Sequence, residues 1–268
     1  MTSDVVRRLV RGAAYGALCA VGVSLVALVV RERADTLVGF DEWAVRAGTD
    51  YARSHPTLLQ GLIAWQWATQ PKFVYLVLVP VTAWLGARAR RSLAPRAAWA
   101  FMTMMLVWAL AAVMKEIVHR ARPVIDDPVS HAPGFSFPSG HSANAMGAAA
   151  VMVVLLWPLL SRGGRVAASA IAVVFVLVTG LDRVLLGVHY PTDVIGGFLL
   201  GAGMVAASYR GFTGGLAGRS DTSSDTRSDS SSDTSSEANS DTSSARGSAR
   251  RRPIGGGEGS PSRPAERR

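Results

Sequence analysis

Cysteine is nearly absent from this 268-residue chain: Cys19 stands alone, inside an apolar run. That excludes an intramolecular disulfide and a thiolate metal cluster, and Cys19 reads as a small core or lipid-facing residue. Charge is also scarce, at 18%, and unevenly signed, with 28 basic against 19 acidic residues giving +9. No segment repeats with the period of a solenoid. What abounds is hydrophobic side chain, 49% of the whole. Mean hydropathy is +0.24 although the last fifth is almost wholly polar, so the apolar residues crowd upstream. A soluble chain with pI near 10.7 would suggest nucleic acid. Here the arginines fall in short clusters between apolar runs, as in loops that orient a membrane protein. The bilayer, not nucleic acid, is the expected partner.

The first apolar run, about 12–30, is close to the hydrocarbon thickness at ~1.5 Å per residue. Arg7, Arg8 and Arg11 precede it, as in a signal peptide. The run is longer than a usual signal core and lacks a clear small-residue cleavage site, so an uncleaved transmembrane helix is expected. A polar stretch follows to about Pro56, then an amphipathic or re-entrant piece at 58–69 with Trp65 and Trp67. Apolar runs recur at about 73–87, 97–114, 142–160, 166–181 and 194–208. The expected fold is all-α: a polytopic six-transmembrane-helix bundle over 12–210, after a cytoplasmic N-terminus at 1–11. Arginines around 88–96, 162–165 and 210–219 alternate with six spans if both termini are cytoplasmic. Residues 211–268, rich in Ser, Asp, Thr, Gly and Arg, have too little apolar surface to offset ordering entropy and read as a disordered cytoplasmic tail.

Two outer loops carry ionisable residues that this topology does not call for. One holds Lys115, His119, Arg120, Arg122, Asp126, Asp127, His131 and Pro138-Ser139-Gly140-His141; the other holds Asp182, Arg183, His189 and Asp193. Such groups are costly at membrane ends unless partnered, and both loops face the same side. Lys115, Arg122 and Arg183 can converge on one anion, Arg as a bidentate fork and Lys as a point charge. Ser139-Gly140-His141 stands at a helix start, where free N–H groups and the dipole favour phosphate, and Gly140 allows close approach. His189 to Asp193 opens a second helix aimed at the same face. A histidine serves near neutral pH as nucleophile or proton donor, and Asp193, four residues after His189, can accept its ring N–H. No metal-binding cluster accompanies them, so no cofactor is expected. His119 and Arg120 read as helix-face or interfacial residues ahead of headgroup contacts, His131, Asp126 and Asp127 as a solvated loop ahead of one that shapes access, and the tryptophans as packing or interfacial groups.

These residues form a signature. Lys115 through Arg122-Pro123 resembles K-x6-R-P, Pro138-Ser139-Gly140-His141 resembles P-S-G-H, and Arg183-x5-His189-x3-Asp193 is similar to S-R-x5-H-x3-D. These are the three motifs of the type-2 phosphatidic acid phosphatase superfamily, and the resemblance covers about 60–208. It implies metal-independent hydrolysis of a lipid phosphomonoester or diphosphate at the outer face of the cytoplasmic membrane. His189 would form a phosphohistidine, Asp193 orient it, and His141 protonate the leaving oxygen. Lys115, Arg122, Ser139, Gly140 and Arg183 would hold the phosphate. One position departs from the pattern: Asp182 stands where the motif has Ser, and is expected to turn away or to pair with Arg183 or Lys115. A lipid phosphotransferase and a non-catalytic lipid-binding or transport scaffold are the alternatives. Oligomeric state is left open.

Overall fold

The computed structural model describes residues 2–31, 35–88, 94–126 and 128–228. Its elements are helices α1 (Thr2–Arg31), α2 (Asp35–Ser54), α3 (Pro56–Ala68), α4 (Pro71–Arg88), α5 (Ala94–Val118), α6 (Gly140–Leu156), α7 (Arg162–Leu185) and α8 (Pro191–Ser228), with a 3-10 turn at Trp157–Leu159. The protein is an all-helical membrane protein. Among the described residues, five stretches are long and apolar enough to cross a bilayer: Val10–Leu28, Ala94–Val118, Gly140–Leu159, Arg162–Leu185 and Pro191–Phe212. The sixth apolar helix, Pro71–Trp84, is shorter. It corresponds to the expected second span, and Pro80 lies within it.

Two departures from the sequence reading concern helix boundaries. The polar stretch before Pro56 is α2, whose buried residues Asp41, Val45, Thr49 and Ala52 recur at helical spacing. At the other end, α8 runs on to Ser228, so the boundary placed at 211 falls within a helix. The chain divides into two units, Met1–Ser224 and Asp225–Arg268. The remainder of the expected tail, 229–268, lies outside the described residues.

α6 is the centre of the bundle, packing against α4, α5 and α7. α8 crosses it at backbone distance. A Cβ on Gly197 would stand 2.6 Å from the Ser139 carbonyl oxygen, and one on Gly201 2.5 Å from that of Ala143. This small-x-x-x-small spacing is how membrane helices approach without a hydrophobic driving force between them. Polar contacts fix the packing further. The Tyr75 hydroxyl lies 2.7 Å from both the Met104 carbonyl and Asn144 Oδ1, linking α4, α5 and α6. Trp99 Nε1 and Thr103 Oγ1 both donate to Ser208 Oγ, tying α5 to α8. Trp65 likewise packs, its ring beside Phe175 and its N–H on Thr179. Cys19 is half-buried, against Gly203. The signature residues lie at or just beyond the C-terminal ends of α5 and α7 and the N-terminal ends of α6 and α8, in or behind one cavity.

Candidate active site

The cavity has a volume of about 260 Å³ and is lined by Gln66, Gln70, Lys115, Arg122, His131, Gly140, His141, Arg183 and His189, among others. Six of the eight expected site residues therefore share one wall. Ser139 and Asp193 stand behind it, both fully buried. Ser139 is the N-cap of α6: its Oγ accepts from Ser142 N–H at 3.4 Å and from Ser142 Oγ at 3.0 Å. The Ser139 N–H donates to the Asp193 carbonyl at 2.9 Å, joining the second and third motifs through backbone.

His189 is the best-defined group. Its Nε2 lies 3.3 Å from Arg122 Nη1, and its Nδ1 lies 3.6 Å from Asp193 Oδ2. Burial pushes the imidazole down to about 4, against the pull of Asp193, with Arg122 and Lys115 adding to the fall. The ring is thus neutral at pH 7, and its Nε2 lone pair accepts from Arg122 on the cavity wall. His141 lines the same cavity, and its Nε2 is buried without a protein partner.

The cations are pre-arranged by the loop before α6. Lys115 Nζ donates to the Phe135 carbonyl at 2.6 Å. Arg122 donates to the carbonyls of Gly134 and Pro133, both at 2.9 Å, and of Val188 at 2.7 Å. Burial lowers the Arg122 guanidinium from its ordinary range, as does Arg183, while Asp193 opposes the fall. Arg183 is held differently. Its Nε donates to Asp182 Oδ2 at 2.8 Å, its Nη2 to the same oxygen, and its Nη1 to Gln66 Oε1 at 3.0 Å. Asp182 therefore pairs with Arg183, one of the arrangements expected of it, and leaves Lys115 and Arg122 as the cations without a carboxylate of their own at the cavity.

Arg120 overturns its reading as a helix-face residue. His119, at φ 53°, ends α5 in the left-handed region and turns the chain. Arg120 then reaches inward. Its Nη1 donates to Asp193 Oδ1 at 2.6 Å and Thr192 Oγ1 at 2.7 Å, its Nη2 to Asp41 Oδ2 at 2.7 Å, and its guanidinium lies 4.1 Å from the Tyr190 ring centre. Burial opposes its charge, but Asp193 and Asp41 outweigh burial and raise it. Asp41 and Gln66 went unnoticed in the sequence. The signal for Asp41 was a carboxylate on the stripe shared with Val45, Thr49 and Ala52; Gln66 offered none. His131 is exposed but lines the cavity, nearer an access role than a plain solvated loop. The Asp126 carbonyl accepts from Arg53. Asp127 lies outside the described residues.

Fold and site together define a membrane-embedded helical protein with a small cationic cavity, two histidines and a buried carboxylate. The model of the PAP2 superfamily matches residues 96–214 of the chain. It is 42% identical to phosphatidylglycerophosphatase B of Bacillus subtilis over 40% of this chain and 55% of that one. It is 35% identical to decaprenylphosphoryl-5-phosphoribose phosphatase of Mycobacterium tuberculosis over 48% of this chain and 66% of that one. The chain thus spans between half and two thirds of the length of these relatives. Among solved structures, it resembles a transmembrane PAP2-type phosphatidylglycerolphosphate phosphatase from Bacillus subtilis, at TM-score 0.64 and 26% identity. That match covers 72% of this chain and 94% of the other.

Proposed function

We propose that this protein hydrolyses a lipid phosphomonoester or diphosphate, at the outer face of the cytoplasmic membrane, through a phosphohistidine. The observation that carries the reading is His189: a neutral imidazole with Nε2 beside Arg122 on the cavity wall and Nδ1 turned to Asp193. In the first step a bond forms from Nε2 to phosphorus while the phosphorus–oxygen bond to the leaving group breaks. Asp193 stabilises the positive charge that grows on the ring, and His141 gives the leaving oxygen its proton. The phosphate dianion is itself the partner that favours a protonated His141. Lys115, Arg122 and the start of α6 take the charge on the equatorial oxygens, and Arg183 helps to hold them. Water then attacks phosphorus, His141 takes its proton, and His189 is released.

A lipid substrate is supported by an apolar groove of about 570 Å³ between α4, α6 and α7. Ala68 and Phe73 of that groove flank Gln70 of the cavity in sequence, so tail and phosphate have adjoining places. The names of the relatives suggest phosphatidylglycerol phosphate and prenyl-linked sugar phosphate; phosphatidic acid and polyprenyl diphosphate complete the set. The outer location follows from the positive-inside alternation of the arginine clusters.

The test is phosphate release by detergent-purified protein, with EDTA present, over those four lipids, beside His189→Ala. Release that survives chelation and vanishes in the variant is expected. Full turnover in folded His189→Ala would sink the phosphohistidine step.

A further inference from the structure

Asp41 lies on α2, far in sequence from the three motifs, yet is fully buried at the back of the site. Both of its oxygens are engaged. Oδ1 accepts the Thr192 N–H at 3.1 Å, at the start of α8. Oδ2 accepts the Thr192 hydroxyl and, at 2.7 Å, Arg120 Nη2. Arg120 is in turn bound at 2.6 Å to Asp193 Oδ1, whose other oxygen faces His189. One guanidinium thus sits between two buried carboxylates.

The charges matter as much as the contacts. Were Arg120 paired with Asp193 alone, it would cancel the carboxylate on which His189 depends. Shared with Asp41, it leaves the group Asp41–Arg120–Asp193 at net −1, so Asp193 still acts as an anion toward the imidazole. A fork held on both sides also cannot swing, which fixes the Asp193 carboxylate in rotation.

We propose that Asp41 is a positioning residue for the His189–Asp193 pair, acting through Arg120 and Thr192 and never touching the substrate. The proposal rests on the phosphohistidine reading above. It concerns the rate of the chemical step, not binding, because Asp41 does not line the cavity.

The experiment measures kcat and KM of purified full-length protein on phosphatidic acid in detergent micelles, or on whichever lipid of the panel is hydrolysed faster. The proteins are wild type, Asp41→Asn, Arg120→Lys, the double variant and His189→Ala. Asp41→Asn is expected to lower kcat by about 10- to 100-fold, the usual range for removing an outer-shell orienting group, with KM changed less than about threefold. In the Arg120→Lys background, where the fork is already lost, the same substitution is expected to cost less than about threefold, because the two residues act as one unit. Wild-type kcat in Asp41→Asn overturns the proposal. So does an equal loss of kcat in both backgrounds, or a fall in melting temperature with kcat preserved, since each marks a purely structural role. Activity in His189→Ala is read separately: it removes the reading beneath, whatever Asp41 does.

Discussion

The starts of α6 and α8 meet at the site, and they treat their backbone donors in opposite ways. At α8 the donors are consumed by carboxylates of the protein: Thr192 N–H on Asp41 and Tyr190 N–H on Asp193. At α6 the cap is a neutral Ser139, which takes Ser142 N–H. Among the described residues, the amides of Gly140 and His141 donate to no protein acceptor. The sequence suggested two helix starts aimed at the same outer face. In the structure they divide the work: α6 keeps its positive end open to an anion, while the donors at α8 seat His189. The difference follows from charge, because a carboxylate at a helix start satisfies donors and offsets the dipole at once.

The largest way to break this contrast is Arg120→Ala. It strands Asp41 and Asp193 as two buried carboxylates without their shared cation. Breaking a buried ion pair from one side costs about 3–5 kcal/mol, so a markedly lower melting temperature and loss of most turnover are expected. Thermal unfolding and phosphate release, run on the same preparation, check both.

Acid tests the seating of His189 more gently. Its folded value of about 4 lies below the ordinary 6.5, so between these the unfolded chain binds the extra proton. Stability is then full above pH ~6.5 and falls as pH drops toward 4, by on the order of 3 kcal/mol at 1.36 kcal/mol per unit. Melting temperature against pH should fall less steeply in His189→Gln; identical slopes would remove His189 as the cause.

The smallest change sharpens the α6 side. A Cβ on Gly140 meets only Lys115 Cε, at 3.9 Å, so Gly140→Ala should fold normally. The added methyl faces space that a phosphate would use, and a rise in KM of about tenfold with unchanged melting temperature is expected. An unchanged KM would place the phosphate elsewhere.

Much of the site was legible because its chemistry is concentrated in short segments: Lys115 to Arg122, Ser139 to His141, Arg183 to Asp193. Helix ends carry these groups, so ionisable residues flanking apolar runs announce them. Arg120 was misread because spacing alone cannot tell a residue on a helix face from one just past a left-handed turn at His119. Asp41 was missed because a single carboxylate in a polar stretch looks solvated until the stripe it shares with Val45, Thr49 and Ala52 is seen to be buried. The capping role of the Ser139 hydroxyl was likewise not legible, because it depends on where α6 begins.

The sequence by itself determined that this is a helical membrane protein with its ionisable residues gathered at helix ends, because apolar run length and residue type are local properties. Tertiary structure alone decided that Asp41 shares Arg120 with Asp193 and holds the start of α8. Pairings between residues about 80 and 150 positions apart depend on how helices pack, and no local pattern encodes that.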